Sequence, residues 1–524
     1  MQLLPAALIS GFLLGSQAVA LSDVDEKPGK YVHLSFDKLR GNSYEEAGKG
    51  NKPSAELRKR DDGYEEIEIY NEQNFYSIEL EIGTPSQNVT VLLDTGSSDL
   101  WVSSPENPYC IDSDDTKPVT QLSTSTLATS SGTATSSGNS GIATVDCSEY
   151  GTFDPSKSTS FRSNNTAFSI SYGDTTFASG TWGTDNFDLG DLNVTNLSFA
   201  VANQSNSTVG VMGIGLAGLQ STYVGVNSAS SGAYQYENFP MALKSQGIID
   251  RNAYSLFLNE PDADKGSVLF GAVDHSKYSG QLYTVPMLNM YRNRGIQNPI
   301  EFDVTVQGVS VTSGSTIRNL TNTQFPALLD SGTTLSYMPY TLTQLIAGAV
   351  GAQYSQYTGY YSMRCPSENN DTRLNFDFGG FQISANLSSY LLSSRSSSST
   401  CYLGMIPLTS NAAIFGDNFL VHAYVVYDLE NYEISMAQAA FNNSDSQIEV
   451  ISDSIPSAVR AQGYSSTWST NQAISTSGSG SGSGTARTTT TSSNGASGAR
   501  NAVGDTLAPS PLFLLFATII SFFI

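Results

Sequence analysis

A mainly β chain, folded as two similar lobes around a cleft, is predicted by three observations. The peptide Leu92-Leu93-Asp94-Thr95-Gly96-Ser97-Ser98 returns in the second half as Leu328-Leu329-Asp330-Ser331-Gly332-Thr333-Thr334, so one loop occurs twice. From Tyr64 to about residue 450, short alternations such as Ile67-Glu68-Ile69-Tyr70 and Tyr76-Ser77-Ile78-Glu79-Leu80-Glu81-Ile82 are punctuated by Gly and Pro, the pattern of half-buried strands. Helical patterning is confined to about residues 240–247 and 340–350. The 524 residues suffice for two lobes of this kind plus extensions.

Residues 1–20 read as a secretory signal, with an apolar run through Leu3-Leu4, Leu8-Ile9 and Phe12-Leu13-Leu14 that ends in Ala18-Val19-Ala20. Residues 21–60 are polar and charged and close on Arg58-Lys59-Arg60, the look of a propeptide cut after Lys59-Arg60. The first lobe is expected over 61–255 and the second over 256–450. Within the first, the Cys-flanked stretch 110–147 is so rich in Ser, Thr and Gly that it reads as a surface loop open to nicking. Residues 451–500 read as an extended Ser/Thr/Gly stalk of the kind that carries O-glycans. In 501–524 a small-residue site, a polar spacer and a short apolar tail (Leu512–Ile524) fit a glycosylphosphatidylinositol signal, with Asn501 the first candidate for attachment. That tail is shorter than the roughly 20 apolar residues of a spanning helix.

Lys and Arg number 25 against 48 Asp and Glu, a net charge of −23, which disfavours nucleic acid and favours cationic partners. Three histidines and four cysteines show no metal-ligand spacing, so no metal and no cofactor is expected. Cys110, Cys147, Cys365 and Cys401 fall as one close pair per half. Two local disulfides, Cys110–Cys147 and Cys365–Cys401, are the economical pairing in an exported chain, although three connectivities are open. Sequons begin at Asn88, Asn164, Asn193, Asn196, Asn203, Asn206, Asn319, Asn370, Asn386 and Asn442, and several of them are expected to carry glycan.

In each repeated loop an apolar strand delivers a carboxylate into a Gly-containing turn whose amides and hydroxyls can hold it. If the lobes face each other, the two carboxylates meet and cannot both ionise, so the pair is acid and base at once. At these motifs the chain resembles the pepsin-type aspartic endopeptidases over about residues 64–445. The resemblance implies a bilobal pepsin-like fold with the active-site cleft between the lobes and Asp94 and Asp330 as the catalytic pair. It implies a reaction in which the ionised Asp takes a proton from a water while its partner hydrogen-bonds the scissile carbonyl. By the same resemblance, Ser97 and Thr333 hydrogen-bond the outer carboxylate oxygens. Ile170-Ser171-Tyr172-Gly173-Asp174 resembles the flap over the substrate, with Trp101 supporting Tyr172. Val211–Gly215 and Ala413–Asp417 resemble the strands behind the catalytic loops, and Asp417 is expected near the dyad.

Asp174 lies two places after the flap Tyr, where the resemblance puts the lip of the pocket for the side chain before the scissile bond. A carboxylate there attracts Lys or Arg. Fungal proteases of the yapsin type combine such an acid with a Cys-flanked insertion, a stalk and a lipid-anchor signal. The resemblance therefore implies a surface-anchored protease for basic sites in proteins or peptides, monomeric or nicked into two chains. The competing expectation is a non-catalytic surface glycoprotein of the same fold.

Overall fold

The computed structural model describes residues 31–41, 56–59, 65–68, 73–110, 145–189, 192–223, 233–261, 263–356, 360–367, 370–393, 399–441 and 445–476. The signal sequence, Arg60, most of the 110–147 insertion, Asn442 and Asn501 lie outside these residues.

The body is β, as expected. A fourteen-stranded sheet runs through both halves of the chain. Its strands, in chain order, are β1 (Val32–Gly41), β2 (Gln73–Ile82), β3 (Gln87–Asp94), β4 (Leu100–Ser103), β5 (Arg162–Ser171), β6 (Phe177–Leu189), β7 (Leu192–Ser205), β8 (Gly210–Gly213), β9 (Ala253–Phe257), β10 (Lys265–Phe270) and β11 (Tyr278–Pro286). In β2, Tyr76, Ile78, Leu80 and Ile82 are buried while Glu79 and Glu81 face out, the two-residue period turned into a core face. A five-stranded sheet in the second half has the order β12-β13-β16-β14-β15, where β12 is Asp303–Val306, β13 Phe325–Leu329, β14 Ser336–Pro339, β15 Met405–Leu408 and β16 Ala413–Phe415. The large sheet is completed by β17 (Ala423–Asp428), β18 (Glu433–Ala439) and β19 (Ala458–Arg460). The two expected helices form as α1 (Phe239–Ser245) and α2 (Tyr340–Val350), the latter stopped by Gly351 in the left-handed region at φ 80°. A short α3 (Asp417–Leu420) was not foreseen. Both local disulfides, Cys110–Cys147 and Cys365–Cys401, are formed.

Two segments depart from expectation. In the stretch read as polar propeptide, β1 lies inside the large sheet between β10 and β2, antiparallel to both. Val32, Leu34 and Phe36 enter the core there, and the period-two pattern is obscured because the next inward position is Lys38. Lys59 closes a strand, Glu56–Lys59, paired with Glu65–Glu68. The second departure is the start of the stalk. Residues 451–476 pack onto the body: Ile451, Ile455, Ala461 and Ile474 are buried, β19 runs parallel to β11, and the Thr321 hydroxyl donates to the Ser475 carbonyl at 2.7 Å. Isolated apolar residues in a Ser/Thr-rich run carry no period, so composition hid them.

One buried ion pair ties this late segment to the sheet. The Arg251 guanidinium spans Asp428 with contacts of 2.8–3.2 Å and also donates to the Asp453 carbonyl at 2.9 Å. Asp428→Ala leaves that charge buried and unpaired, so a loss of about 3–5 kcal/mol is expected in denaturant unfolding, against under 1 kcal/mol for removal of an exposed ion pair.

Candidate active site

The two Asp-bearing loops are built alike. Asp94 ends β3 and lies beside Gly213 of β8, which runs parallel to it, while the Ile214 amide donates to the Asp94 carbonyl at 2.9 Å. Asp330 follows β13, which is parallel to β16, and its amide donates to the Phe415 carbonyl at 3.1 Å. The strands Val211–Gly215 and Ala413–Asp417 thus pass directly behind the loops, and they require glycine. A Cβ on Gly213 would lie 2.6 Å from the Ser98 amide nitrogen, and one on Gly416 would strike the Thr333 carbonyl.

The carboxylates are held by matching bonds. The Gly96 amide donates to Asp94 Oδ1 at 2.7 Å and the Ser97 hydroxyl to Oδ2 at 2.5 Å. The Gly332 amide donates to Asp330 Oδ1 at 2.9 Å and the Thr333 hydroxyl to Oδ2 at 2.5 Å. Added Cβ atoms show how close the lobes come: one on Gly96 would collide with the Asp330 carboxylate, and one on Gly332 with that of Asp94. Burial, then the charge of Asp330, pushes the Asp94 carboxyl up to about 8, with Ser97 and Gly96 opposing. The two carboxylates cannot both ionise at this separation, so one proton belongs to the pair.

Thr95 and Ser331, between Asp and Gly in each motif, went unremarked in the sequence. Across the lobe interface the Thr95 amide donates to Ser331 Oγ at 3.1 Å and the Ser331 amide to Thr95 Oγ1 at 2.9 Å. Each hydroxyl then donates to the strand opposite, Thr95 to Leu329 O at 3.1 Å and Ser331 to Leu93 O at 3.3 Å. The signal was present as a hydroxyl residue after both acids.

The hairpin β5–β6 carries Tyr172, Gly173 and Asp174 in its turn. The Tyr172 hydroxyl accepts from the Trp101 indole at 2.7 Å. Asp174 is exposed, and its Oδ1 accepts from the Thr176 amide and hydroxyl at 2.9 and 2.7 Å, so it shapes the turn as well as presenting charge. Tyr337, half-buried on β14, has its hydroxyl pushed up to about 12 by burial and by Tyr360, Asp174 and Asp330. That places Tyr337 within the fields of the turn acid and of the dyad together.

Further acids surround the pair. Asp417 is buried, and desolvation raises its carboxyl well above the usual range, with Lys38 opposing and Asp330 reinforcing. Glu301, before β12, and Asp303, its first residue, were not singled out in the sequence. Burial raises both, and Glu301 accepts from the Tyr291 hydroxyl at 2.7 Å. Acids alternating at the head of a buried strand, Glu301-Phe302-Asp303, were the available signal. Of the described sequon asparagines, Asn88, Asn164, Asn193, Asn196, Asn203, Asn319, Asn370 and Asn386 are exposed, whereas Asn206 is half-buried.

Two paired acids in twin loops at a cleft, under a hairpin, define a hydrolase of the aspartic-dyad class. The chain belongs to the eukaryotic aspartyl protease family, whose model matches residues 75–439. It is 51% identical to aspartic proteinase 3 of Saccharomyces cerevisiae over 94% of this chain and 93% of that protein. From the same yeast, aspartic proteinase MKC7 is 50% identical and aspartic proteinase yapsin-3 is 48% identical, each over 86% of this chain and 80% of the relative. The protein is a yapsin-like aspartic-type endopeptidase whose substrates are peptides or proteins.

Two predictions follow from this geometry. An acid whose folded-state proton affinity is raised keeps its proton where the unfolded chain has lost it, so Asp94 subtracts stability as pH rises from 3.8 through about 8. The thermal midpoint of Asp94→Asn is expected to gain on wild type across that window; a constant difference contradicts the raised affinity. Ser331→Ala leaves the Thr95 amide buried without its acceptor, and an expected cost of about 1–3 kcal/mol should appear in unfolding, with kcat reduced.

Proposed function

We propose that the protein is a secreted, surface-anchored endopeptidase that cleaves proteins and peptides at single or paired basic residues, with Asp94 and Asp330 as its catalytic acids. The observation that carries the reading is the matched hydrogen bonding of two carboxylates whose loops face each other closely enough to share one proton. A water between them loses its proton to the ionised partner as it attacks the scissile carbonyl. The protonated partner hydrogen-bonds the carbonyl oxygen as charge develops there, and the proton then passes to the leaving amine. Ser97 and Thr333 hold the outer oxygens so that the inner ones face the water.

The hairpin turn acts as the flap, with Tyr172 locked by Trp101. Asp174 supplies the preference for Lys or Arg, supported by its exposure at the turn, by its field at Tyr337 and by the net charge of −23. The exposed sequon asparagines are the glycan acceptors. Residues 21–60 are removed after Lys59-Arg60, and the tail beyond Asn501 is exchanged for a lipid anchor on that residue. Among the described residues, no helix is long and apolar enough to cross a membrane.

The purified chain is expected to cleave a peptide containing Lys-Arg and to be blocked by a statine-type inhibitor; cleavage that survives Asp94→Ala overturns the assignment. Asp174→Ala should lose about 1.5–3 kcal/mol of discrimination between a basic and a neutral side chain, read as the ratio of kcat/KM values. An unchanged cleavage profile would transfer the preference to another acid.

A further inference from the structure

The segment from the first catalytic loop to Cys110 touches the flap hairpin at two separate points. At the tip, Trp101 holds Tyr172. Past β4, the Ser104 amide donates to the Ala202 carbonyl of β7 at 2.8 Å, and the chain turns through Asn107, only 3% exposed. The Asn107 side chain grips the end of β7. Its Oδ1 accepts from the Ser205 amide at 3.1 Å and the Tyr109 amide at 3.2 Å, and its Nδ2 donates to the Ser205 carbonyl at 2.9 Å and lies 3.9 Å from Cys147 Sγ.

Ser205 passes this hold to the flap. Its hydroxyl, wholly buried, donates to the Phe177 carbonyl at 2.8 Å, and the neighbouring Asn206 Oδ1 accepts from the Phe177 amide at 2.7 Å. Phe177 is the residue at which the turn rejoins β6, and its ring meets the Tyr109 ring edge-on at 5.7 Å. On the other side, the Cys110 amide donates to the Asn107 carbonyl at 3.0 Å, and the Cys110–Cys147 bond closes the neck of the insertion. A continuous path of hydrogen bonds, buried between Asn107 and Ser205 and part-buried at Phe177, therefore joins the closed neck to the returning strand of the flap.

We infer that Asn107 is a positioning residue for the flap, and that the disulfide-closed neck at Cys110–Cys147 sets how tightly the flap holds substrate. The inference rests on the flap reading given above. The buried backbone groups of Ser205 are costly to leave unpaired, so loosening the neck shifts the strand, and with it the half-buried Phe177, rather than merely thinning its bonds. A flap that moves off its seat weakens binding of peptide, while the dyad, fixed across the lobe interface, keeps its chemistry. The neck is thus a control point outside the cleft, where opening the Cys110–Cys147 bond can be felt by substrate.

The test compares the full-length protein with Asn107→Ala, Asn107→Asp, Ser205→Ala, Tyr172→Ala and the double variant Cys110→Ser with Cys147→Ser. KM and kcat on a long basic-site peptide, Ki for a statine-type inhibitor and the thermal midpoint are measured for each. Loss of about one buried hydrogen bond corresponds to about a tenfold change. Asn107→Ala and the cysteine double variant are therefore expected to raise KM and Ki about tenfold with kcat within about twofold and the pH profile unmoved. Asn107→Asp, which sets a carboxylate oxygen against the Ser205 carbonyl, should raise KM and Ki at least as much as Asn107→Ala. A folded Asn107→Ala with unchanged KM and Ki, or with its loss confined to kcat, overturns the inference. If Asn107→Ala does not fold, Ser205→Ala decides, since it removes a single hydroxyl: a raised KM supports the coupling and an unchanged one overturns it. Tyr172→Ala separates the two readings, because unchanged kinetics there mean that the hairpin is not a substrate flap at all.

Discussion

The exchange of hydrogen bonds between Thr95 and Ser331 is the constraint on which the rest of the site depends. Two carboxylates brought together in a buried cleft repel whenever both ionise, and nothing in their own chemistry keeps the loops that carry them in contact. The amide of each hydroxyl residue is spent on the other's oxygen, and each hydroxyl on a carbonyl of the opposite strand. Separating the loops would strand four polar groups in a dry interface, which outweighs the repulsion relieved. Glycine follows each hydroxyl residue because any side chain there would displace the facing carboxylate.

Around that clasp, burial does the electrostatic work. Among the described residues near the dyad, Asp99, Glu301, Asp303 and Asp417 are all pushed toward the protonated form by desolvation. The Tyr236 hydroxyl and the Ser221 amide give Asp99 two donors that oppose the shift. The interior around the dyad is thereby less negative than its composition implies. The turn acid Asp174, by contrast, is exposed to solvent.

The sequence was legible wherever a pattern repeated. Twin motifs announced the lobes, alternation announced the strands, and cysteine spacing announced both disulfides. It was opaque where a residue's role depends on something far away in the chain. Thr95 and Ser331 look like ordinary turn hydroxyls until two loops from opposite halves are set head to head. Lys38 hides a strand because its inward position is occupied by a charge, which only the three-dimensional neighbourhood of Asp417 and of the Glu260 carbonyl, 3.1 Å away, makes tolerable. Ile455, Ala461 and Ile474 are single anchors in polar surroundings, so no window of sequence averages to a strand or a helix there. Asn107 is equally silent: its importance comes from a partner almost a hundred residues downstream.

The matched bonding of the two acids has a last consequence, for direction. Each carboxylate is held by a glycine amide on one oxygen and a hydroxyl on the other, so a rotation that exchanges the loops leaves the floor of the cleft nearly unchanged. A peptide is polar from its amino to its carboxyl end, and a floor of that symmetry cannot tell which way it lies. The orientation must be read from what is not duplicated, and the hairpin β5–β6 with its Trp101 prop belongs to the first lobe only among these elements. The reaction centre is thus nearly blind to chain direction, and the lopsided roof above it breaks the tie.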